Sequence, residues 1–123
     1  RLQSKTNMHQ SALQNEKAKK HAFLTDMYND EYFPTFLVDK CKDILVQLCY
    51  DIEQQQPKYV RALYTLAHAA TEKINELEEE FEDNDSEIET AARECIAQNF
   101  VFIAKTYGFI DADVEEMLAP RTW

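Results

Sequence analysis

A single glycine, Gly108, stands among the 123 residues of this chain. Tight hairpins need residues at positive φ, and one glycine cannot supply them for a β-rich fold. The same scarcity removes the glycine-rich loops of P-loop and dinucleotide-binding proteins. What remains is a chain whose apolar residues recur at helical spacing.

The spacings define the elements. Leu37, Cys41, Ile44, Leu45, Leu48 and Ile52 share one helix face, with Asp39, Lys40, Lys42, Asp43, Gln47 and Asp51 off it. A helix is expected over 34–55, opened by Pro34 and stopped by Gln56-Pro57. Leu63, Ala67, Ala70, Ile74, Leu77 and Phe81 alternate spacings of four and three. This heptad seam predicts one helix from about Lys58 to Asp83, packed nearly parallel to a neighbour. Ser86-Glu87-Ile88-Glu89 reads as a capping box, which starts a further helix running to about Tyr107. Gly108 is placed to cap that helix in the left-handed conformation. Upstream, good helix formers from Ser11 to Asn29 predict one continuous helix. Downstream, a short helix is expected from Ala112 to Leu118, capped by Asp111, with Trp123 folded back onto the bundle. The expected fold is all-α, a compact antiparallel bundle of four main helices plus a short C-terminal helix. It would form a single domain over residues 1–123, with 1–10 a frayed tail or one left from cloning.

Charge and cysteines bound the function. The net charge is −10, and nine of those ten negative charges lie after residue 57. Such a surface repels a phosphate backbone, so no nucleic acid is expected as a partner. No apolar run approaches the ~20 residues of a membrane span, and the first 22 residues lack the apolar stretch of a secretory signal. Cys41, Cys49 and Cys95 are odd in number and form no CxxC pair, which argues against a disulfide framework or a zinc site. Reduced thiols in the cytoplasm are expected, with no cofactor and no metal.

A few constellations could carry chemistry. Glu76, Glu78, Glu79, Glu80, Glu82, Asp83 and Asp85 crowd into ten residues without one Lys or Arg. Carboxylates near a helix C-terminus oppose the macrodipole, so this run carries a cost that docking of a basic surface would justify. Asp83, Asp85, Glu87 and Glu94 can be laid on an EF-hand loop, but Ile88 stands where that loop needs glycine. Tyr64, His68 and Glu72 line one flank of a helix at intervals of four, the composition of a general acid–base set. The plainer reading is a boundary histidine bonded to Glu72. Asn99 falls on an apolar stripe, where it either fixes helix packing through a buried hydrogen bond or lines a pocket. His9 and His21 are expected at the surface. Tyr28, Tyr32, Phe33 and Phe36 surround the first interhelix turn, closing the core or, where exposed, anchoring a partner.

Several segments also resemble a bacterial family of unknown function, numbered 5713. They are Met27-Tyr28-Asn29-Asp30-Glu31-Tyr32-Phe33-Pro34 with Leu37-Val38-Asp39-Lys40, then Ser86 to Glu94, Tyr107-Gly108-Phe109, and Ala119-Pro120-Arg121-Thr122-Trp123. The resemblance covers about His21 to Trp123 and implies a bacterial cytoplasmic protein, but no activity. The function expected from the residues is a non-enzymatic protein-interaction module, monomeric or homodimeric. Its partner would be a basic protein, masked as an immunity protein or inhibitor masks its target. The alternative is a small-molecule binder or enzyme with an interhelical pocket built from Tyr64, His68, Glu72 and Asn99.

Overall fold

The apolar stripes do become helices. The computed structural model describes residues 9–123, and every regular element among them is helical. A 3-10 turn at Gln10–Ala12 leads into α1 (Glu16–Lys20) and α2 (Thr25–Tyr28). The long helices are α3 (Thr35–Gln55), α4 (Val60–Asn75) and α6 (Thr90–Thr106), with α5 (Glu78–Asp83) and α7 (Val114–Met117) as short pieces. The chain is an all-α bundle. Most of the tail expected at residues 1–10 lies outside the described residues, but Gln10 is tied in, its amide donating to the Ala18 and His21 carbonyls.

Helix α3 is the centre. It packs against α4, α2 and α6, so its buried face is broader than one stripe. Val38, Val46 and Cys49 are buried with the expected Leu37, Cys41, Leu45, Leu48 and Ile52. Helix α4 adds Leu63, Ala67, Ala70 and Ile74, and α6 adds Ala92, Cys95, Ile96, Phe100 and Ile103. Met117, Leu118 and Trp123 complete the same cluster. Two alanines at the α4 seam let the neighbouring backbone approach closely.

Four expectations on element boundaries are corrected. The helix expected over 11–29 is broken between α1 and α2, where Leu24 is fully buried with φ 57°. A left-handed leucine costs roughly 1–2 kcal/mol, so tertiary contacts hold it there. The helix expected from 58 to 83 tightens at Glu76-Leu77, where the Leu77 amide reaches back only three residues to Ile74. Phe81 remains fully buried, so the seam survives the interruption. The break also moves Glu78, Glu79 and Glu80 into the first turn of α5, where free N–H groups favour carboxylates. Third, Ser86 caps nothing: α6 starts only at Thr90. Instead Ser86 closes α5, its amide bonding Phe81 O while the Asp85 amide bonds Glu82 O, with Asp85 at φ 60°. This is a Schellman end with aspartate in the position glycine usually takes. Fourth, the cap of α7 is Asp113 rather than Asp111, its carboxylate accepting from the Glu115 amide.

Gly108 fills the expected role. It ends α6 at φ 94°, with Gly108 N on Lys105 O and Phe109 N on Ala104 O. Trp123 is folded back and 8% exposed. No helix among the described residues is long and apolar enough to cross a membrane.

The buried thiols make stability pH-dependent. Burial pushes Cys41 and Cys49 from an ordinary 9.0 up to about 12. The folded chain therefore keeps protons that the unfolded chain releases above pH 9. Stability is full below that pH and falls as pH climbs toward 12. The urea midpoint should drop steadily between pH 8.5 and 11. A midpoint that holds or rises over that range contradicts the assignment.

Candidate functional site

The flank of α4 that carries Tyr64 and His68 faces residues 113–122. Tyr64 Oη accepts from the Asp113 amide at 2.9 Å, and His68 Nε2 donates to Glu116 O at 2.6 Å. One and two turns further on, Thr71 Oγ1 lies 3.1 Å from Met117 O, and Asn75 takes both Pro120 O and the Thr122 amide. These side chains sit four, three and four residues apart, one edge of a helix. All of them bond backbone, so the edge works as a rail for the segment that holds α7. Glu72 lies exposed beside the rail. The candidate pocket set is thus split: Tyr64 and His68 meet the chain, Glu72 faces solvent, and Asn99 is elsewhere.

Asn99, on α6 and 8% exposed, holds the bend between α1 and α2. Its Oδ1 accepts from His21 Nε2 at 2.9 Å and lies 3.4 Å from the Leu24 amide, while Nδ2 donates to Cys95 O at 2.7 Å. His21 is therefore no free surface residue. It is half-buried, stacked on Phe102 at 3.7 Å and edge-on to Phe23 at 4.6 Å. A small cavity of about 190 Å³ touches His21, Asp26, Cys95 and Asn99. Desolvation raises the Cys95 thiol, which opposes thiolate formation and a nucleophilic role.

Sequence reasoning missed Glu53. Its carboxylate accepts from the amides of Gln14 and Asn15, at 2.8 and 3.0 Å, and from the Tyr107 hydroxyl. Burial, then that hydrogen bond, raises the Tyr107 phenol. Asn15 caps α1 through the Ala18 amide and reaches Thr106 O with its Nδ2. Apart from the Asn15 cap, the contacts span 38 to 91 residues, so no local pattern announces them. Beside them lies an open concavity of about 650 Å³, lined by Gln14, Glu53, Gln56, Tyr107 and Phe109 among others. The one carboxylate there is already occupied by three donors.

The acidic run lies around the α4–α5 break and continues past α5. Glu76, Glu79, Glu82, Asp83 and Asp85 are exposed. Glu78 accepts from the Thr122 hydroxyl, and Glu80 pairs with Lys40 at 2.7 Å. That exposed pair is worth at most about 1 kcal/mol. The aromatic cluster divides at this end of the molecule. Phe33 is buried, and Tyr28 is half-buried with its hydroxyl on Asp39 at 2.6 Å. Tyr32 and Phe36 remain 46% and 47% exposed. Lys40 Nζ stands 5.9 Å from the centre of the Phe36 ring, and the Tyr32 phenol lies in the field of Glu89 and Glu87. Among the described residues, no group of three His, Cys, Asp or Glu side chains could hold a metal ion.

Asn99 carries the most concentrated structural demand. Replacing it with alanine leaves the His21 ring and the Leu24 amide without their acceptor. Asn99→Ala should lose about 2–3 kcal/mol in urea unfolding, the scale of unpaired buried polar groups. A loss below about 0.5 kcal/mol would show that the bend stands without it.

Among curated proteins and among solved structures, none matches this chain. A family model matches residues 17–123, from α1 through the rail segment to the buried Trp123. Over that span the chain belongs to the family of unknown function DUF5713.

Proposed function

We propose that this chain is a non-enzymatic protein-interaction module that docks a basic protein surface. The observation that carries this reading is the pairing of two half-exposed aromatic rings, Tyr32 and Phe36, with a dense acidic surface at one end of the bundle. Aromatic anchors supply area at low entropic cost, and a rim of one charge sign steers and selects a partner of the other. The form of this function that fits best is masking of a basic toxin or nuclease surface, as an immunity protein or inhibitor would do. We further read it as a bacterial cytoplasmic protein, in keeping with three buried, unbridged cysteines. The same charge disfavours nucleic acid as the ligand.

The alternative, a small-molecule binder or enzyme using Tyr64, His68 and Glu72, has weaker support. Tyr64 Oη accepts from the Asp113 amide and His68 Nε2 donates to Glu116 O, which commits both side chains to holding the chain, while Glu72 and Asn99 lie apart from them.

A photo-crosslinking phenylalanine analogue at position 36, in cells of the native host, tests the docking reading. A discrete adduct should form with a protein of basic surface. Glu79→Lys with Glu82→Lys and Asp83→Lys should abolish it, since these three carboxylates are exposed and make no ion pair among the described residues. An adduct indifferent to that charge reversal, or none at all, contradicts the proposal.

A further inference from the structure

Three distant stretches of chain meet at the C-terminal end of α3, about 25 Å along the helix from Phe36. Residues 14–15 enter α1, residues 52–57 finish α3, and residues 107–109 leave α6. Between them opens the concavity of about 650 Å³, a volume within the ordinary range of small-ligand sites. Among the described residues that line it, Glu53 alone is charged. Its carboxylate accepts from two backbone amides and one phenol, so three bonds fix its position. Two carboxylate oxygens offer about four acceptor positions, of which about one is left. It lies on Oε1, which takes the Gln14 amide, while Oε2 takes the other two donors.

The rest of the lining is neutral. Gln14, Gln54 and Gln56 bring exposed carboxamides, each both donor and acceptor. Pro57 and Phe109 add apolar surface. Backbone geometry places two of these residues. Gln56 caps α3 at φ 49°, in the left-handed region where glycine is usual. A glycine there would bring no side chain to the concavity. Gly108, at φ 94°, turns the chain so that Phe109 N bonds Ala104 O and Phe109 borders the concavity.

We infer that this concavity is a binding site for a neutral sugar of one or two rings. A sugar presents hydroxyls that both donate and accept, and C–H faces that are apolar. Their complements are the three carboxamides, the free acceptor position on Glu53 and the surface of Pro57 and Phe109. A cation would engage Glu53 and leave the carboxamide N–H groups without an acceptor, which lowers affinity. An extended peptide runs along one line, whereas these groups converge on a compact hollow from three segments. The site is a second function, independent of the docking reading above.

The test is an NMR titration of the whole chain with glucose, galactose, mannose, N-acetylglucosamine, maltose and cellobiose. At least one sugar should give saturating shifts with a Kd of about 1–10 mM, the strength of an open site. The largest shifts should fall on the amides of Gln14, Asn15, Glu53, Gln56 and Phe109. Gln56→Gly removes a carboxamide and leaves a residue suited to positive φ, so the fold is kept. Combined with Gln14→Ala and Gln54→Ala, both at exposed positions, it should weaken that sugar about fivefold or more. The urea midpoint of this triple variant should hold or rise. No saturating shift from any of these sugars overturns the site, as do shifts confined to other residues or a Kd unchanged in the triple variant. Methylguanidinium and acetyl-trialanine amide are titrated alongside. Saturation of these amides by either probe, with every sugar inert, assigns the concavity to a cation or a peptide and overturns the sugar site.

Discussion

One edge of α4 grips residues 113–122 by their backbone, and the architecture depends on that grip. Tyr64 supplies an acceptor, His68 a donor and Asn75 a two-way carboxamide, each aimed at a peptide group, and the Thr71 hydroxyl is shared between Ala67 O of its own helix and Met117 O. Individually such bonds contribute about 0.5–1.5 kcal/mol. Their value lies in register. With five peptide positions met, Met117 and Leu118 enter the core beside α4, and Trp123 closes it. The rail also accounts for the break after Asn75. The residue that ends α4 is the one occupied with Pro120 and Thr122, and the chain tightens directly after it.

The N-terminal pieces are also held by bonds between distant segments. Asn99 supports the left-handed Leu24, and Glu53 gathers Gln14, Asn15 and Tyr107. In both cases one buried or half-buried side chain serves several groups from distant segments. The N-terminal pieces are too short to be stable helices alone, so these contacts supply what propensity cannot.

Apolar spacing made the long helices legible, because burial of a face at 3.6-residue intervals is a local signature of a non-local fact. The stripe of α3, the seam of α4 and the Gly108 cap were readable for that reason. The bend at His21–Leu24 was not. Residues 11–29 are locally helical in composition, and what breaks them is an acceptor 75 residues away on Asn99. The Ser86 motif misled because a capping box and a Schellman end draw on the same small polar residues. Which of them forms depends on Asp85 taking a positive φ, a cost that no composition reveals. At the candidate sites, the spacing of Tyr64 and His68 was correctly read as one edge of one helix. What that edge faces was beyond the local pattern, and it turned out to be backbone. The partial exposure of Tyr32 and Phe36 likewise emerged only with the tertiary structure.

Tyr64, His68 and Asn99 are thus engaged in holding the chain, while Glu72 stays at the surface with exposed aromatic and acidic residues. Backbone amide exchange measures that division most directly. In the variant Thr71→Val with Asn75→Ala, the amides of Leu118, Arg121 and Thr122 should exchange at least about tenfold faster, while those in the middle of α3 keep their protection. Uniform acceleration across the bundle, or none in residues 113–122, would contradict the claim that α4 holds this segment by its backbone.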